Sequence, residues 1–176
     1  MTKNFKITII TVSKNSEKYL EENILSIFNQ TYKNYEHIII DGDSKDQTKN
    51  IILKHKNKIS YTISEPDKGL YFAMNKGIKK ATGDVIGILN SDDIYYPNAL
   101  KIINNYFSSD EKLDFLFGSV YKHKLMHGYY PIKLNGLLVF IPHTLLVFLS
   151  KLKRKKKLDY MILNIIILLI MIYFTE

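Results

Sequence analysis

The stretch DVIGILNSDD, residues 84–93, ends a short apolar run with two adjacent carboxylates. The run from Val85 to Leu89 is rich in β-branched residues and is typical of a buried strand, which places Asp92 and Asp93 where that strand ends. Two such charges repel each other unless a cation or solvent screens them. A hard divalent cation with oxygen ligands, Mn²⁺ or Mg²⁺, is the expected partner, and such a cation commonly also holds substrate phosphates. The stretch therefore predicts a sheet strand with a metal and phosphate site at its end.

Strand-like and helix-like segments alternate along the first 122 residues. The strand-like runs are Phe5–Val12, Tyr35–Asp41, Lys58–Ser64, Asp84–Asn90 and Asp114–Lys122. Amphipathic helical stripes lie between them: the first contains Leu20, Ile24, Ile27 and Phe28, and a later helix is expected to close at Gly83. This alternation is typical of a mostly parallel sheet flanked by helices, and no internal repeat or Gly/Ser linker divides it. We therefore predict an α/β fold.

Polar side chains follow four consecutive strands of this predicted sheet. They are Thr11 and Ser13 after the first strand, Asp41 and Asp43 after the second, Glu65 and Asp67 after the third, and Ser91, Asp92 and Asp93 after the fourth. In an open parallel sheet, ligands bind outside the carboxyl ends of the strands. A single cluster is compatible with ordinary turn and helix-cap chemistry, but four clusters on one edge favour a ligand site.

Several classes of site are excluded by the sequence. It contains no cysteine, no HExxH motif, no GxxxxGK[ST] phosphate loop and no GxGxxG dinucleotide fingerprint. Half of the net charge of +8 lies in residues 135–176, so the rest of the chain is only mildly basic and nucleic acid is not the expected partner. The sequence therefore favours a metal and diphosphate site that is built without a phosphate loop.

Three segments resemble family 2 glycosyltransferases of the GT-A fold, of the kind that build bacterial surface polysaccharides. They are TIITVSKNSEKYLEENILSIFNQTYKNYEHIIIDGDSKDQT, SEPDKGLYFAMNKGIKKATGDVIGILNSDDIYYPNAL and IPHT, and the resemblance runs from about Ile7 to His143. It implies transfer of a sugar, generally with inversion, from a nucleotide diphosphate donor (a UDP- or GDP-sugar) to a saccharide or lipid-linked acceptor. It also implies a nucleotide-sugar-binding domain over residues 1–143 and a cytoplasmic location.

The resemblance also implies roles for individual residues. Asp41 matches the carboxylate that contacts the nucleobase, and Asp92 with Asp93 matches the metal-binding acidic motif, whose first position here is Asn90. The other implied donor-binding residues are Thr11, Val12 and Ser13 under the nucleoside, Asn75 and Lys76 near the donor sugar or phosphates, and Asp43 and Ser91.

Two positions depart from the family pattern. Phe72 stands where the family has an acidic residue, and it is either a core aromatic residue or a change that alters donor affinity or sugar choice. Lys14 stands where an aromatic or similar residue is usual. His143, in the IPHT segment, is either a metal or phosphate contact or a structural residue.

The catalytic base that an inverting transfer requires is missing from the expected pattern. A carboxylate must take the proton of the acceptor hydroxyl, but only Asp159 and Glu176 are acidic after His143, and neither fits the family segment. The catalytic residue is therefore unassigned, and we expect the transfer activity of this chain to be impaired.

Residues 144–176 have a different composition from the body of the chain. The basic run Lys151–Lys157 is followed by the apolar segment Leu158–Phe174, which is short for a membrane anchor and apolar on every helical face. In the reading frame one nucleotide upstream, Met161-Ile162 and Met171-Ile172 would each encode an aspartate. The segment is therefore interpreted either as a membrane-associated helix, which would bring the chain to the inner face of the membrane, or as the product of a frameshift that truncates the protein after about His143.

Two further functions are compatible with the sequence. A membrane-anchored module that binds a nucleotide sugar without transferring it would need the same acidic edge. A nucleic-acid binder using the run Lys151–Lys157 has less support, because no aromatic stacking pattern accompanies the lysines.

Overall fold

The computed structural model describes residues 3–110 and 113, and beyond them the strand segments 115–117, 120–122, 124–126, 131–134, 137–140 and 147–150. The IPHT segment with His143, and the basic and apolar stretch 151–176, lie outside the described residues. The interpretations of those segments, and of the missing base, therefore stay predictions.

A six-stranded sheet with helices on both faces forms the fold, so the predicted α/β class is confirmed. The first part of the chain contains β1 (Ile7–Ser13), α1 (Leu20–Phe28), β2 (Tyr35–Asp41), α2 (Thr48–Lys54), a 3-10 turn (Lys56–Lys58), β3 (Tyr61–Ser64), α3 (Leu70–Lys80), β4 (Val85–Ile88) and α4 (Ala99–Ser109). The strand order is β3-β2-β1-β4, all parallel, and it continues with β10 (Val147–Ser150), which is antiparallel to β4 and to β5 (Phe115–Phe117).

The predicted fifth strand is two strands in the structure. β5 joins the main sheet, whereas β6 (Val120–Lys122) pairs with β7 (Lys124–Met126) in a separate two-stranded ladder. A second such ladder is formed by β8 (Pro131–Leu134) and β9 (Leu137–Phe140). The periodicity of one apolar run does not reveal that its two halves pair with different partners.

The central strand β1 is buried along its whole length, and its two faces contact different helices. Because side chains alternate along a strand, Ile10 and Val12 pack toward α3, while Ile7 and Ile9 pack toward α1 and α4. A third cluster joins α1 to α2 over Ile39 of β2. The parallel core thus has helices on both faces, and all four of its strands point their carboxyl ends to the same edge.

Two sequence-based details are corrected by the packing. Phe28, expected on the buried stripe of α1, is 42% exposed, and the ammonium groups of Lys33 and Lys58 lie over its ring. Gly83 does not close α3, which ends at Lys80 before an extended Ala81. A side chain at position 83 would collide with Thr8 and with the main chain of Lys6, so glycine is needed there for close approach to β1.

No helix among the described residues is long and apolar enough to cross a membrane.

Candidate functional site

A cleft of about 350 Å³ opens at the edge where the parallel strands end. Three loops line most of it: the end of β1 (Val12, Ser13, Lys14), the turn before α3 (Asp67, Gly69, Leu70) and the turn after β4 (Asn90, Ser91, Asp92). The predicted convergence of polar groups at one edge of the sheet is therefore present. Of the residues expected to bind the donor, the cleft lining contains Val12, Ser13, Ser91 and Asp92.

Asp41 lies beneath this cleft rather than in its lining. Its carboxylate is completely buried, and the sheet register places it between Ser13 on β1 and Ser64 on β3. Both serine hydroxyls donate to it, at 3.2 Å and 2.5 Å, and the main-chain N–H and the hydroxyl of Ser44 donate as well. The four hydrogen bonds replace the water that the charge loses on burial, so Asp41 is a rigid anchor for the three strand ends.

Asp43 has a different environment from Asp41. Its main chain is left-handed, with φ of 58°, and its carboxylate forms ion pairs with Lys45 at 2.5 Å and Lys49 at 2.6 Å. These two ammonium groups lower the pKa of Asp43 to about 2. The side chain remains partly exposed beside the cleft, with its charge balanced by the two lysines.

The turn after β4 presents one exposed carboxylate to the cleft. Asp92 is exposed and lines the cleft, whereas Asp93 is half-buried and lies behind it. The main-chain N–H of Asp93 donates to the carbonyl of Asn90 at 3.1 Å, and the Asn90 amide lies 3.4 Å from the Asp93 carboxylate. Ser91 is joined across the cleft to Ser16 by a hydroxyl–hydroxyl hydrogen bond of 2.8 Å. The turn therefore exposes Asp92 to the cleft and keeps Asp93 half-buried outside the lining.

A second carboxylate in the lining, Asp67, is one of the polar residues expected at this edge, but the family resemblance gives it no role in donor binding. Its side chain is only 7% exposed and forms an ion pair with Lys76, but neither of its oxygens accepts a directed hydrogen bond from the described residues. Lys76 also pairs with Glu65 at 2.6 Å, and these carboxylates raise the pKa of Lys76. Lys76, expected near the donor phosphates, thus neutralises two acids of the turn before α3.

The remaining predicted residues are not in the lining. The hydroxyl of Thr11 is completely buried on the α1 face of the sheet, 3.2 Å from Asn23 and 3.0 Å from His37. Asn75 is half-buried on α3. Ser13, two residues further along β1 on the same face as Thr11, stands at the end of the strand and reaches the cleft.

The two departures from the family pattern lie at the surface. Phe72 is 54% exposed on the first turn of α3, so its interpretation as a core aromatic residue is wrong. Lys14 is exposed and lines the cleft, where its aliphatic carbons lie over Gly42.

The residues after β4 can supply part of the coordination sphere of a divalent cation. Asp92, Asp93 and Asn90 offer hard oxygen ligands, which Mg²⁺ and Mn²⁺ prefer. No group of three or more carboxylate or histidine side chains that could enclose a metal is found among the described residues. These oxygen ligands are therefore suited to a cation that completes its coordination with phosphate oxygens and water.

Comparison with known sequences identifies the family. Residues 8–167 match the model of glycosyl transferase family 2. An uncharacterised glycosyltransferase of Rickettsia typhi is 40% identical over 95 residues, which are 54% of this chain and 30% of that protein. The Escherichia coli UDP-Glc:alpha-D-GlcNAc-diphosphoundecaprenol beta-1,3-glucosyltransferase WfgD is 35% identical over 100 residues, which are 56% of this chain and 40% of that enzyme. The chain thus spans less than half the length of these relatives.

Solved structures show the same fold. The Staphylococcus aureus TarS 1-349 complex with UDP-GlcNAc matches 62% of this chain and 33% of that one, with a TM-score of 0.58 and 27% identity. The Pyrobaculum calidifontis mannosyltransferase PcManGT, solved with GDP-Man and Mn²⁺, matches 65% of this chain and 35% of that one, with a TM-score of 0.58 and 20% identity. The fold is therefore GT-A, and the chain belongs to glycosyl transferase family 2.

Proposed function

We propose that the cleft binds a UDP-sugar together with Mn²⁺ or Mg²⁺, and that the protein transfers the sugar to an acceptor hydroxyl in surface polysaccharide synthesis. The observation that carries this proposal is the shape of the cleft, which lies between an exposed carboxylate after β4 and the first turn of α3. Uridine nucleotides are favoured because WfgD uses UDP-Glc by its name and TarS was solved with UDP-GlcNAc.

The two sides of the cleft suit the diphosphate of such a donor and the cation that accompanies it. Gly69, Leu70 and Ala73 bring the N-terminal turn of α3 into the lining, and a helix N-terminus favours a diphosphate through its free N–H groups and dipole. Asp92, with Asp93 and Asn90, would hold the cation on the opposite side. A bound cation there would offset the negative charge that builds on the departing diphosphate.

Two further residues have roles in this proposal. Asp41 keeps Ser13 at the floor of the cleft, where the nucleoside would lie. The buried Oδ2 of Asp67, the oxygen that does not contact Lys76, would accept a hydrogen bond from a hydroxyl group of the donor. The same proposal includes inversion at the sugar and places Asn75 and Lys76 near the donor sugar or phosphates. It also takes residues 1–143 as the nucleotide-sugar-binding domain.

The acceptor proposed is a lipid-linked saccharide. This rests on WfgD, whose name gives GlcNAc-diphosphoundecaprenol as the acceptor. An acceptor of that kind would bring the protein to the inner face of the membrane, with or without the apolar segment Leu158–Phe174.

Ligand-dependent stabilisation tests the donor site. UDP-GlcNAc or UDP-Glc with Mn²⁺ should raise the unfolding free energy, by about 2.7 kcal/mol at 100 times the dissociation constant. EDTA should remove most of this stabilisation, and Asp92→Asn should do the same because it removes the negative charge of the exposed cation ligand. Glu22→Gln, an exposed carboxylate on α1 outside the cleft, is the matched control and should keep the full effect. No stabilisation by any UDP- or GDP-sugar would refute the proposal.

A further inference from the structure

The inner face of α1 carries polar side chains that hydrogen-bond the main chain after β4. Asn23 and Ser26 are spaced by three residues and share one face of the helix, and Gln30 follows in the turn after it. The Asn23 amide donates to two carbonyls, those of Asn90 at 2.8 Å and Asp93 at 2.7 Å. These two carbonyls bracket Ser91 and Asp92. A single buried amide therefore spans the turn Asn90–Asp93, which we call the acidic turn.

Ser26 on α1 and Gln30 just after it extend this contact to the residues that follow Asp93. The Ser26 hydroxyl accepts the N–H of Tyr95 at 3.2 Å. The Gln30 amide donates to the carbonyl of Tyr96 at 2.9 Å and accepts the N–H of Leu100 at 3.2 Å. The segment from residue 90 to residue 100 is therefore hydrogen-bonded to α1 and to the turn that follows it.

A chain of hydrogen bonds behind Asn23 fixes the orientation of its amide. The two carbonyls can only accept, so the Asn23 nitrogen must face them and its oxygen must face Thr11. The Thr11 hydroxyl donates to that oxygen at 3.2 Å and lies 3.0 Å from Nε2 of His37. Because its own hydrogen is used, Thr11 must accept from Nε2–H. Burial lowers the pKa of His37 to about 3, so the ring is neutral, and Nδ1, which has no partner among the described residues, is the bare nitrogen.

Each hydrogen bond in this series, from His37 through Thr11 and Asn23 to the acidic turn, has one defined donor and one defined acceptor. Asn23 and Thr11 are both completely buried. Removing either N–H of the Asn23 amide would leave a carbonyl of the turn without its donor from α1. Asn23 is absent from the cleft lining, so it does not touch a ligand there itself.

We propose that Asn23, oriented by Thr11 and His37, is a positioning residue that sets the carboxylates of Asp92 and Asp93 for the cation. This role rests on the proposed function of the cleft. It differs from a purely structural role because it predicts a selective loss of metal affinity rather than a general loss of stability.

The test compares three variants of the full chain. Asn23→Asp removes both N–H donors and places a carboxylate against two carbonyls, Thr11→Val removes the hydroxyl that orients Asn23, and Thr8→Val is the matched control. Thr8 is an equally buried threonine on the same strand, but it donates to Glu36 at the opposite edge of the sheet. Mn²⁺ affinity is measured from the electron paramagnetic resonance signal of free Mn²⁺ at saturating UDP. UDP affinity in EDTA and the melting temperature are measured beside it.

The expected result is a split between metal and nucleotide binding. Asn23→Asp should weaken Mn²⁺ binding by about 10-fold or more, as loss of a group that orients metal ligands typically does, and Thr11→Val should weaken it by a few-fold. UDP binding in EDTA should stay within about two-fold of the wild type in both variants. Thr8→Val should lower the melting temperature but leave Mn²⁺ affinity unchanged.

The outcomes separate the two proposals. Wild-type protein that binds no Mn²⁺ with UDP would overturn the proposed function and the positioning role together. Wild-type binding that Thr11→Val and Asn23→Asp leave intact would overturn the positioning role alone. If Asn23→Asp does not fold, Thr11→Val decides: Mn²⁺ affinity equal to that of Thr8→Val refutes the proposal.

Discussion

At the residue scale, the two aspartates of the sequence Asp41-Gly42-Asp43 have very different environments although they belong to one motif. Asp41 is completely buried with four hydrogen bonds from serine residues, while Asp43 is partly exposed and paired with two lysines. Sequence resemblance assigns both to donor binding. Their environments indicate that Asp41 also contributes to folding, whereas ion pairs of the kind that Asp43 makes contribute little to stability.

Asparagine substitutions at the two positions should therefore differ. Asp41→Asn should lower the unfolding free energy by about 1–3 kcal/mol, because an amide cannot accept all the hydrogen bonds that the serines donate to a carboxylate. Asp43→Asn should have little effect, since asparagine tolerates the left-handed main chain at this position. Urea unfolding of the two variants checks this, and equal losses of stability would contradict it. Any effect of Asp41→Asn on donor binding must then be measured well below its melting temperature.

At the element scale, the position of α3 depends on a single glycine. Gly77 is buried against β1, and a Cβ atom at this position would overlap the side chain of Ile10. The close contact brings the helix down onto the sheet, and its first turn, with Gly69 and Leu70, then reaches the cleft.

Gly77→Ala should consequently destabilise the protein although alanine is the better helix former. The overlap with Ile10 is expected to cost about 1–3 kcal/mol, more than the gain of up to about 1 kcal/mol in helix propensity. Lys79→Ala, on the exposed face of the same helix, is the control and should be close to neutral. Chemical denaturation measures both variants, and a Gly77→Ala protein as stable as the wild type would mean that α3 can move away from β1 without loss.

At the scale of the whole molecule, the parallel sheet separates two polar networks. The candidate site lies at the carboxyl ends of the strands, and a buried cluster around Glu36 lies near their amino ends. Glu36 accepts hydrogen bonds from Thr8 at 2.6 Å and from the main chain and hydroxyl of Thr82, and it pairs with Lys6 at 2.8 Å. Burial alone would raise the pKa of Glu36, but Lys6, Thr8 and Thr82 outweigh it and lower the pKa from 4.5 to about 2.

Acid should therefore lower the unfolding free energy by protonating Glu36, at the edge of the sheet remote from the candidate site. Because the pKa of Glu36 is lower in the folded state, its contribution is complete above pH 4.5 and is lost as the pH falls from 4.5 toward 2. That contribution is about 1–3 kcal/mol after allowance for solvent near Lys6. Glu36→Gln should flatten the dependence of unfolding free energy on pH in this range and leave the stabilisation by UDP and Mn²⁺ unchanged. A Glu36→Gln protein with the acid sensitivity of the wild type, or with weakened ligand binding, would contradict this separation.

The sequence alone was sufficient for the properties that depend on neighbouring residues. Alternating apolar runs predicted the parallel core from β1 to β4, and β2 has the predicted bounds. Strand ends are local features, so the pattern of residues was enough to identify the edge that carries Ser13, Asp41, Ser91 and Asp92. The same local logic failed at Phe28, and at Phe72 it left two interpretations open that only the 54% exposure of the side chain decided between.

Only the tertiary structure decided which of these polar residues bond to each other. Asp41 is enclosed because the register aligns Ser13, Asp41 and Ser64 across three strands that are distant in sequence. Asn23 reaches the acidic turn because α1 packs beside β4, 67 residues further along the chain. Strand order and register bring such groups together, and a hydrogen bond requires a partner within about 3 Å, so sequence spacing carries no record of it.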